Sequence, residues 1–210
     1  MKLLLLGATG LVGRNVLQQA LASDKIGQVI APTRRPLPAH PKLDNPTASD
    51  LRQVAPQALR HPVDAVVCAM GTTIAKAGSK AAFRHVDYVL PILFAGMARQ
   101  QGARSLALVS SPGASLSIPL FYCRIKGEVE RDMRAMGFES LAIIRPGMIG
   151  GHRDEFRLAE RLIFPVAAML GPILPRGLRI NPAANIARAL LEAVIAQAPG
   201  ERLMTSKDLV

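Results

Sequence analysis

Leu3-Leu4-Leu5-Leu6-Gly7-Ala8-Thr9-Gly10-Leu11-Val12-Gly13 decides how this chain is read. The four leucines predict a buried strand. The segment after Gly10 places apolar residues at Leu11, Val12, Val16, Ala20 and Leu21, the spacing of a helix with one buried face. A strand that runs through a glycine turn into a helix leaves backbone N–H groups, and the positive end of the helix dipole, facing an anion. A dinucleotide pyrophosphate is the usual anion. Gly7 suits the tight turn, Gly10 lets backbone approach phosphate, and Gly13 lets helix pack on strand. The spacing is G-x-x-G-x-x-G, not the commoner G-x-G-x-x-G.

The same alternation continues along the chain. Strands are expected near 2–6, 28–33, 64–69, 105–110, 140–145 and 202–204, with helices near 11–22, 50–59, 80–101, 121–136, 155–170 and 182–197. Residues 35–46 carry four prolines and are expected to be an irregular loop. Strands alternating with helices predict an α/β, doubly wound parallel sheet of Rossmann type. The polar or glycine-rich clusters Gly7–Gly13, Thr33–Arg35, Met70–Thr73, Ser110-Ser111 and Arg145–Gly147 each follow a strand. In such sheets the ligand crevice lies outside the strands' carboxyl ends, so the clusters converge.

Length and composition limit the alternatives. A chain of 210 residues, half of them hydrophobic, suits one folded domain: a nucleotide-binding core over about 1–150 and a short C-terminal cap over 151–210. The net charge of +11 allows anionic partners. With no tryptophan and no block of like charge, a specific nucleic-acid site is not expected. Cys68 and Cys123 have no metal spacing and form no disulfide framework, so no metal is expected and the cytoplasm is. No transmembrane segment is expected, because the longest apolar stretch, 162–175, falls short of the ~20 residues needed and holds prolines.

The cluster after the second strand chooses between cofactors. Ile30-Ala31-Pro32-Thr33-Arg34-Arg35 contains no carboxylate to hold ribose hydroxyls. Two adjacent guanidinium groups, Arg34 and Arg35, suit a 2′-phosphate and so NADP(H). Further on, Tyr122 and Lys126 stand four apart at the start of a helix, where they share a face. A neighbouring cation favours phenolate, which makes the phenol a usable general acid/base. A hydroxyl from Ser111 could hold a substrate oxygen, although Ser110 and Ser111 also suit the turn before Pro112-Gly113.

Together these residues resemble the atypical short-chain dehydrogenases/reductases, and within them the small NADPH-binding group that includes the human Tat-interacting protein and its bacterial oxidoreductase relatives. The likeness rests on 7–13, Thr33-Arg34-Arg35, Gly71-Thr72-Thr73, Lys76-Ala77-Gly78, Val86-Asp87-Tyr88, Ser110-Ser111 with Gly113-Ala114, Tyr122 with Lys126-Gly127-Glu128, and Arg145-Pro146-Gly147. It implies catalytic Tyr122, Lys126 and Ser111. It also implies cofactor contacts from Gly7, Thr9, Gly10, Leu11, Val12, Gly13, Arg34 and Arg35. Asp50 and Leu51 would lie beside adenine, and Ala69, Met70, Gly71 and Thr72 beside ribose and pyrophosphate. Pro146, Gly147 and Met148 would lie beside nicotinamide, and Lys126 on its ribose. Asp87 stands where many relatives have asparagine, and the interval from the serines to Tyr122 is short. The function implied is NADP(H)-dependent hydride transfer to or from a small carbonyl or alcohol. The alternative is a non-catalytic NADPH sensor or regulatory protein with a protein partner. Phe156, Leu162, Ile163, Phe164, Met169 and Leu170 are expected to cover the cleft.

Overall fold

The computed structural model describes residues 1–151 and 179–210. Its strands and helices run β1 Lys2–Leu6, α1 Leu11–Ala22, β2 Gln28–Ile30, β3 Leu43–Asp44, α2 Ala55–Ala58 and β4 Ala65–Cys68. They continue as α3 Ile74–Ala77, α4 Lys80–Arg84, α5 Leu90–Gln100, β5 Ser105–Val109, α6 Phe121–Ala135 and β6 Ser140–Arg145. The last are β7 Ile149–Gly150, β8 Asn181–Pro182, α7 Ala183–Ala196 and β9 Gly200–Thr205.

Leu3 to Leu6 are all fully buried because β1 lies mid-sheet and is covered on both faces. Leu4 and Leu6 pack with Val66, Leu106, Phe94 and Met133 on the side of α5 and α6. Leu3 and Leu5 pack with Val16, Ile186 and Leu190 on the side of α1 and α7. Each such side chain contributes about 1.5–3 kcal/mol by leaving water. The sheet order is β3-β2-β1-β4-β5-β6-β9, with every pairing parallel. Connections run outward in one direction to β3 and in the other from β4, so the order reverses between β1 and β4. That switch point opens a crevice at the strands' carboxyl ends.

Three differences from the sequence reading have physical causes. The proline-rich 35–46 segment contains the short strand β3, which pairs with β2 at Val29–Leu43 and Ile30–Asp44. The helix expected over 80–101 is continuous, but a π turn spans His85–Val89. Pro91 explains it: proline cannot donate, and its ring crowds the carbonyl four residues back, that of Asp87, so the turn before it widens. The division of the chain at residue 150 also needs correction. The apolar face of α7, with Ile186, Leu190 and Val194, packs in the core beside α1, and β9 extends the main sheet beside β6. Both belong to the nucleotide-binding fold and not to a cap. The expected helix 155–170 and the cleft-covering Phe156, Leu162, Ile163, Phe164, Met169 and Leu170 lie outside the described residues.

A polar network ties α6 to this sheet. Glu130, 1% exposed, accepts from Ser110 Oγ at 2.5 Å and from Arg145 Nε and Nη2 at 2.8 and 2.5 Å. Arg134 reaches Glu130 at 3.3 Å and also Glu201 of β9 at 2.8 Å. Burial pushes Glu130 up, but the Arg145 and Ser110 hydrogen bonds, with the two guanidinium charges, hold its carboxyl below its ordinary 4.5. A lowered folded-state value means that its stabilisation is present above 4.5 and is lost as pH falls through the folded value. Glu130→Gln should cost about 2–3 kcal/mol at neutral pH, less than a fully buried pair because the arginines keep some water access. Urea melts across pH should show the wild-type advantage shrinking below pH 4.5; an advantage independent of pH would contradict this.

Candidate functional site

The glycine turn is dictated by close backbone packing. Gly7 has φ +87°, and a Cβ there would sit 2.7 Å from the Ala69 carbonyl carbon and from Met70 N. A Cβ on Gly13 would fall 1.9 Å from the Gly7 oxygen. Gly10 differs: it is exposed, and a Cβ there would meet only the Gly7 oxygen at 3.3 Å and the Ala69 oxygen at 4.0 Å. Gly10 is the N-cap of α1 and supplies no side-chain acceptor. The N–H groups of Leu11, Val12 and Gly13 therefore have no partner within the helix. Thr9 and Gly10 are exposed at its mouth, Leu11 is half-buried, and Val12 and Gly13 are buried.

Beyond β2, Thr33 is buried and donates to the Arg35 carbonyl at 2.7 Å, while Asn45 Nδ2 donates to Thr33 Oγ1 at 2.8 Å. This clamp turns Arg34 and Arg35 outward, both exposed, and neither forms an ion pair with the described residues. Asp50 caps the following 3-10 turn by accepting from Arg52 N at 3.0 Å and pairs with the Arg52 guanidinium at 2.7 Å. That guanidinium holds its carboxyl below the ordinary value. Leu51 is a core residue beside Ile30 and Val54, so only its backbone and an edge of its side chain are open to a ligand.

After β4, Ala69 is half-buried, Met70 joins the core, Gly71 is exposed and Thr72 is half-buried. Gly71 lies against the Asp87–Lys126 pair: a Cβ there would be 3.5 Å from Asp87 Oδ1 and 3.7 Å from Lys126 Nζ. Asp87, on the π turn, is 2% exposed. Its Oδ2 accepts the Thr72 N–H at 2.8 Å, and its Oδ1 faces Lys126 Nζ at 2.8 Å. Burial pulls the Lys126 ammonium down, but the Asp87 carboxylate, helped by Tyr122, outweighs it and holds the group above its ordinary value. Cys68, under this pair, is a buried thiol that desolvation pushes up to about 11.

Tyr122 stands one turn before Lys126 on α6, 37% exposed, with its ring tilted at 51° against Phe83 at 5.7 Å. The serines separate: Ser110 is buried on Glu130, whereas half-buried Ser111 lies outside that network. After β6, Gly147 N donates to Asn181 Oδ1 at 2.8 Å, and Asn181 Nδ2 donates to the Ser206 carbonyl at 2.8 Å. Asn181 thus fixes the Pro146-Gly147-Met148 turn. Next, Gly151 packs on Leu11, which brings this loop to the first turn of α1.

Glu130, Asn45 and Asn181 escaped the sequence reading. Glu130 alone left a signal, since Lys126 and Glu130 interrupt the apolar face of Ile125, Val129 and Met133; charges on such a face mark a buried network. Pro91 was the matching signal for the π turn.

No protein-family model matches the chain. Among curated proteins, it is 36% identical over 207 residues to the mitochondrial protein fmp52 of Aspergillus clavatus, covering 94% of this chain and 88% of that one. It is 33% identical over 177 residues to its counterpart in Eremothecium gossypii, covering 84% and 78%. Among solved structures, similar folds include Bordetella bronchiseptica WbmH in complex with NAD+ (TM-score 0.74, 14% identity, 98% of this chain and 75% of that one). Another is human epimerase family protein SDR39U1 with NADPH (TM-score 0.67, 18% identity, 99% and 77%). The relatives' names correct the cytoplasmic expectation, because they are mitochondrial proteins. The inference from cysteines failed because two unpaired thiols speak against a disulfide framework without naming a compartment. At that identity over nearly its whole length, the chain belongs to the fmp52 family, and its parallel sheet has the Rossmann-type fold of those solved structures.

Proposed function

We propose that this protein is an NADP(H)-dependent oxidoreductase that moves hydride between nicotinamide and a small carbonyl or alcohol substrate. The observation that carries the reading is the strip Ala69-Met70-Gly71. At one end it touches Gly7 of the open helix turn, and at the other it reaches Lys126 Nζ. A dinucleotide laid along that strip would put pyrophosphate on the free N–H groups of α1 and its reactive end beside Tyr122 and Lys126. The residues suit the phosphorylated cofactor: Gly10 presents no Cβ to a phosphate, and the outward Arg34 and Arg35 match a 2′-phosphate. Thr9, Leu11, Val12 and Gly13 complete the phosphate cradle. Asp50 and Leu51 border the adenine side, Thr72 and Lys126 the ribose, and Pro146, Gly147 and Met148 the nicotinamide.

NADPH, when bound, supplies the hydride. Tyr122 Oη gives the proton to the carbonyl oxygen, Lys126 holds the cofactor ribose, and the Ser111 hydroxyl steadies the substrate oxygen. A second reading, a sensor that holds NADPH without turnover, draws on one observation: Asp87 engages Lys126 directly, which leaves the lysine less free to serve a proton relay.

Two measurements test this. By calorimetry, NADPH should bind more tightly than NADH, and Arg34→Ala should remove much of the difference, up to about 1.5–3 kcal/mol for hydrogen bonds to a charged group. Equal affinities for the two cofactors would sink the NADP(H) assignment. In an NADPH-oxidation screen across aldehydes and ketones, Tyr122→Phe should lower turnover by about 10²–10⁴ while leaving NADPH affinity nearly intact. Wild-type protein that binds NADPH but reduces nothing would instead establish the sensor.

A further inference from the structure

Asp87 holds a place where the chemistry of the site calls for an explanation. A carboxylate with its side chain fully buried is costly unless paired; here Oδ2 accepts the Thr72 N–H at 2.8 Å, while Oδ1 has no aligned hydrogen-bond donor and is balanced by the Lys126 ammonium, an ion pair at 2.8 Å. The lysine side chain is itself only 9% exposed. Position and aim come from the fold, since the π turn forced by Pro91 carries Asp87 toward the loop after β4. We propose that Asp87 is a positioning residue that ties Lys126 to the Thr72 backbone and cancels the lysine's charge at Tyr122. Phenolate is then less favoured than it would be beside an unpaired ammonium, which biases the site toward giving a proton away and hence toward carbonyl reduction.

In that direction the carbonyl carbon accepts hydride from the nicotinamide. The oxygen, taking the π-bond electrons, accepts the Tyr122 proton, and the phenolate left behind is reprotonated from water. Among the described residues, few charged and titratable groups surround this centre. Asp87 comes from the π turn, Cys68 from β4, and Tyr122 and Lys126 from α6. Lys80 of α4 lies over the neighbouring Phe121 ring, 5.5 Å from its centroid. Opposite unit charges within a few ångströms typically move a titration by 1–3 pH units, so removing one member of the pair should be visible at the phenol.

The composition makes this measurable without substrate or cofactor. The chain has two tyrosines and no tryptophan, so near-ultraviolet tyrosinate absorbance reports Tyr88 and Tyr122 alone. Tyr88 donates to Asp132 at 2.6 Å, which raises its titration, and subtracting the Tyr122→Phe spectrum isolates Tyr122. Asp87→Asn keeps an oxygen for the Thr72 N–H but loses the charge, and it should move the Tyr122 transition down by about one pH unit. Lys126→Met, which leaves Asp87 without its cation, should move it up, and this variant carries the test if Asp87→Asn fails to fold by circular dichroism. A transition that stays at the wild-type pH, or shifts in the opposite sense, in the folded variant would overturn the proposal. The proposal rests on Tyr122 as proton donor, but the titration needs neither NADPH nor turnover. An empty carbonyl screen and an unmoved phenol are therefore separate failures.

Discussion

No side chain fits between the Gly7 carbonyl and the first turn of α1, and the rest of the site depends on that contact. A Cβ on Gly13 would lie 1.9 Å from the Gly7 oxygen, well inside van der Waals contact. With both residues bare, α1 starts immediately above the end of β1 and points its unpartnered N–H groups into the switch point of the sheet. Gly7 makes a second close approach, to Ala69 and Met70, which brings the end of β4 alongside. Two strand ends and one helix end are thereby held in register by backbone alone, and the crevice needs no side chain to set its floor.

The helix α6 organises the other half. Tyr122, Lys126, Glu130 and Arg134 recur every four residues, a polar stripe on an otherwise amphipathic helix. Lys126 and Glu130 are buried while Arg134 is exposed, and each is answered by a different part of the fold: Lys126 by Asp87 of the π turn, Glu130 by Ser110 and Arg145, Arg134 by Glu201 of β9. The same stripe thus anchors the helix at its middle and presents Tyr122 at its open end. Removing the Glu130 charge should disturb folding more than chemistry, and removing the phenol should do the reverse.

Much of this was legible in the sequence because it follows from short-range rules. Unbroken apolar runs such as Leu3–Leu6 and Val66-Val67 mark strands buried on both faces, and α1 begins and ends where its apolar spacing does. The strand-end clusters could be placed in one crevice because parallel sheets put their carboxyl ends together. What remained hidden depends on long-range partners. Nothing local says that Asn181 will hold Gly147, that Asn45 will clamp Thr33, or that β3 will form within a proline-rich loop. Asp87 drew notice only as a departure from relatives; its ion pair required the π turn and the β4 loop to meet. The compartment was misread because thiol content speaks to disulfides alone.

Backbone amide hydrogen exchange with and without saturating NADPH tests the central claim most directly. A dinucleotide seated as described should slow exchange at Thr9–Gly13 and at Ala69–Thr72. It should leave unchanged the opposite end of the sheet, where Lys2, Gly27, Gln28 and Asp64 line a separate hollow. Slowing centred on that hollow, or no slowing at either glycine-bearing loop, would contradict the account.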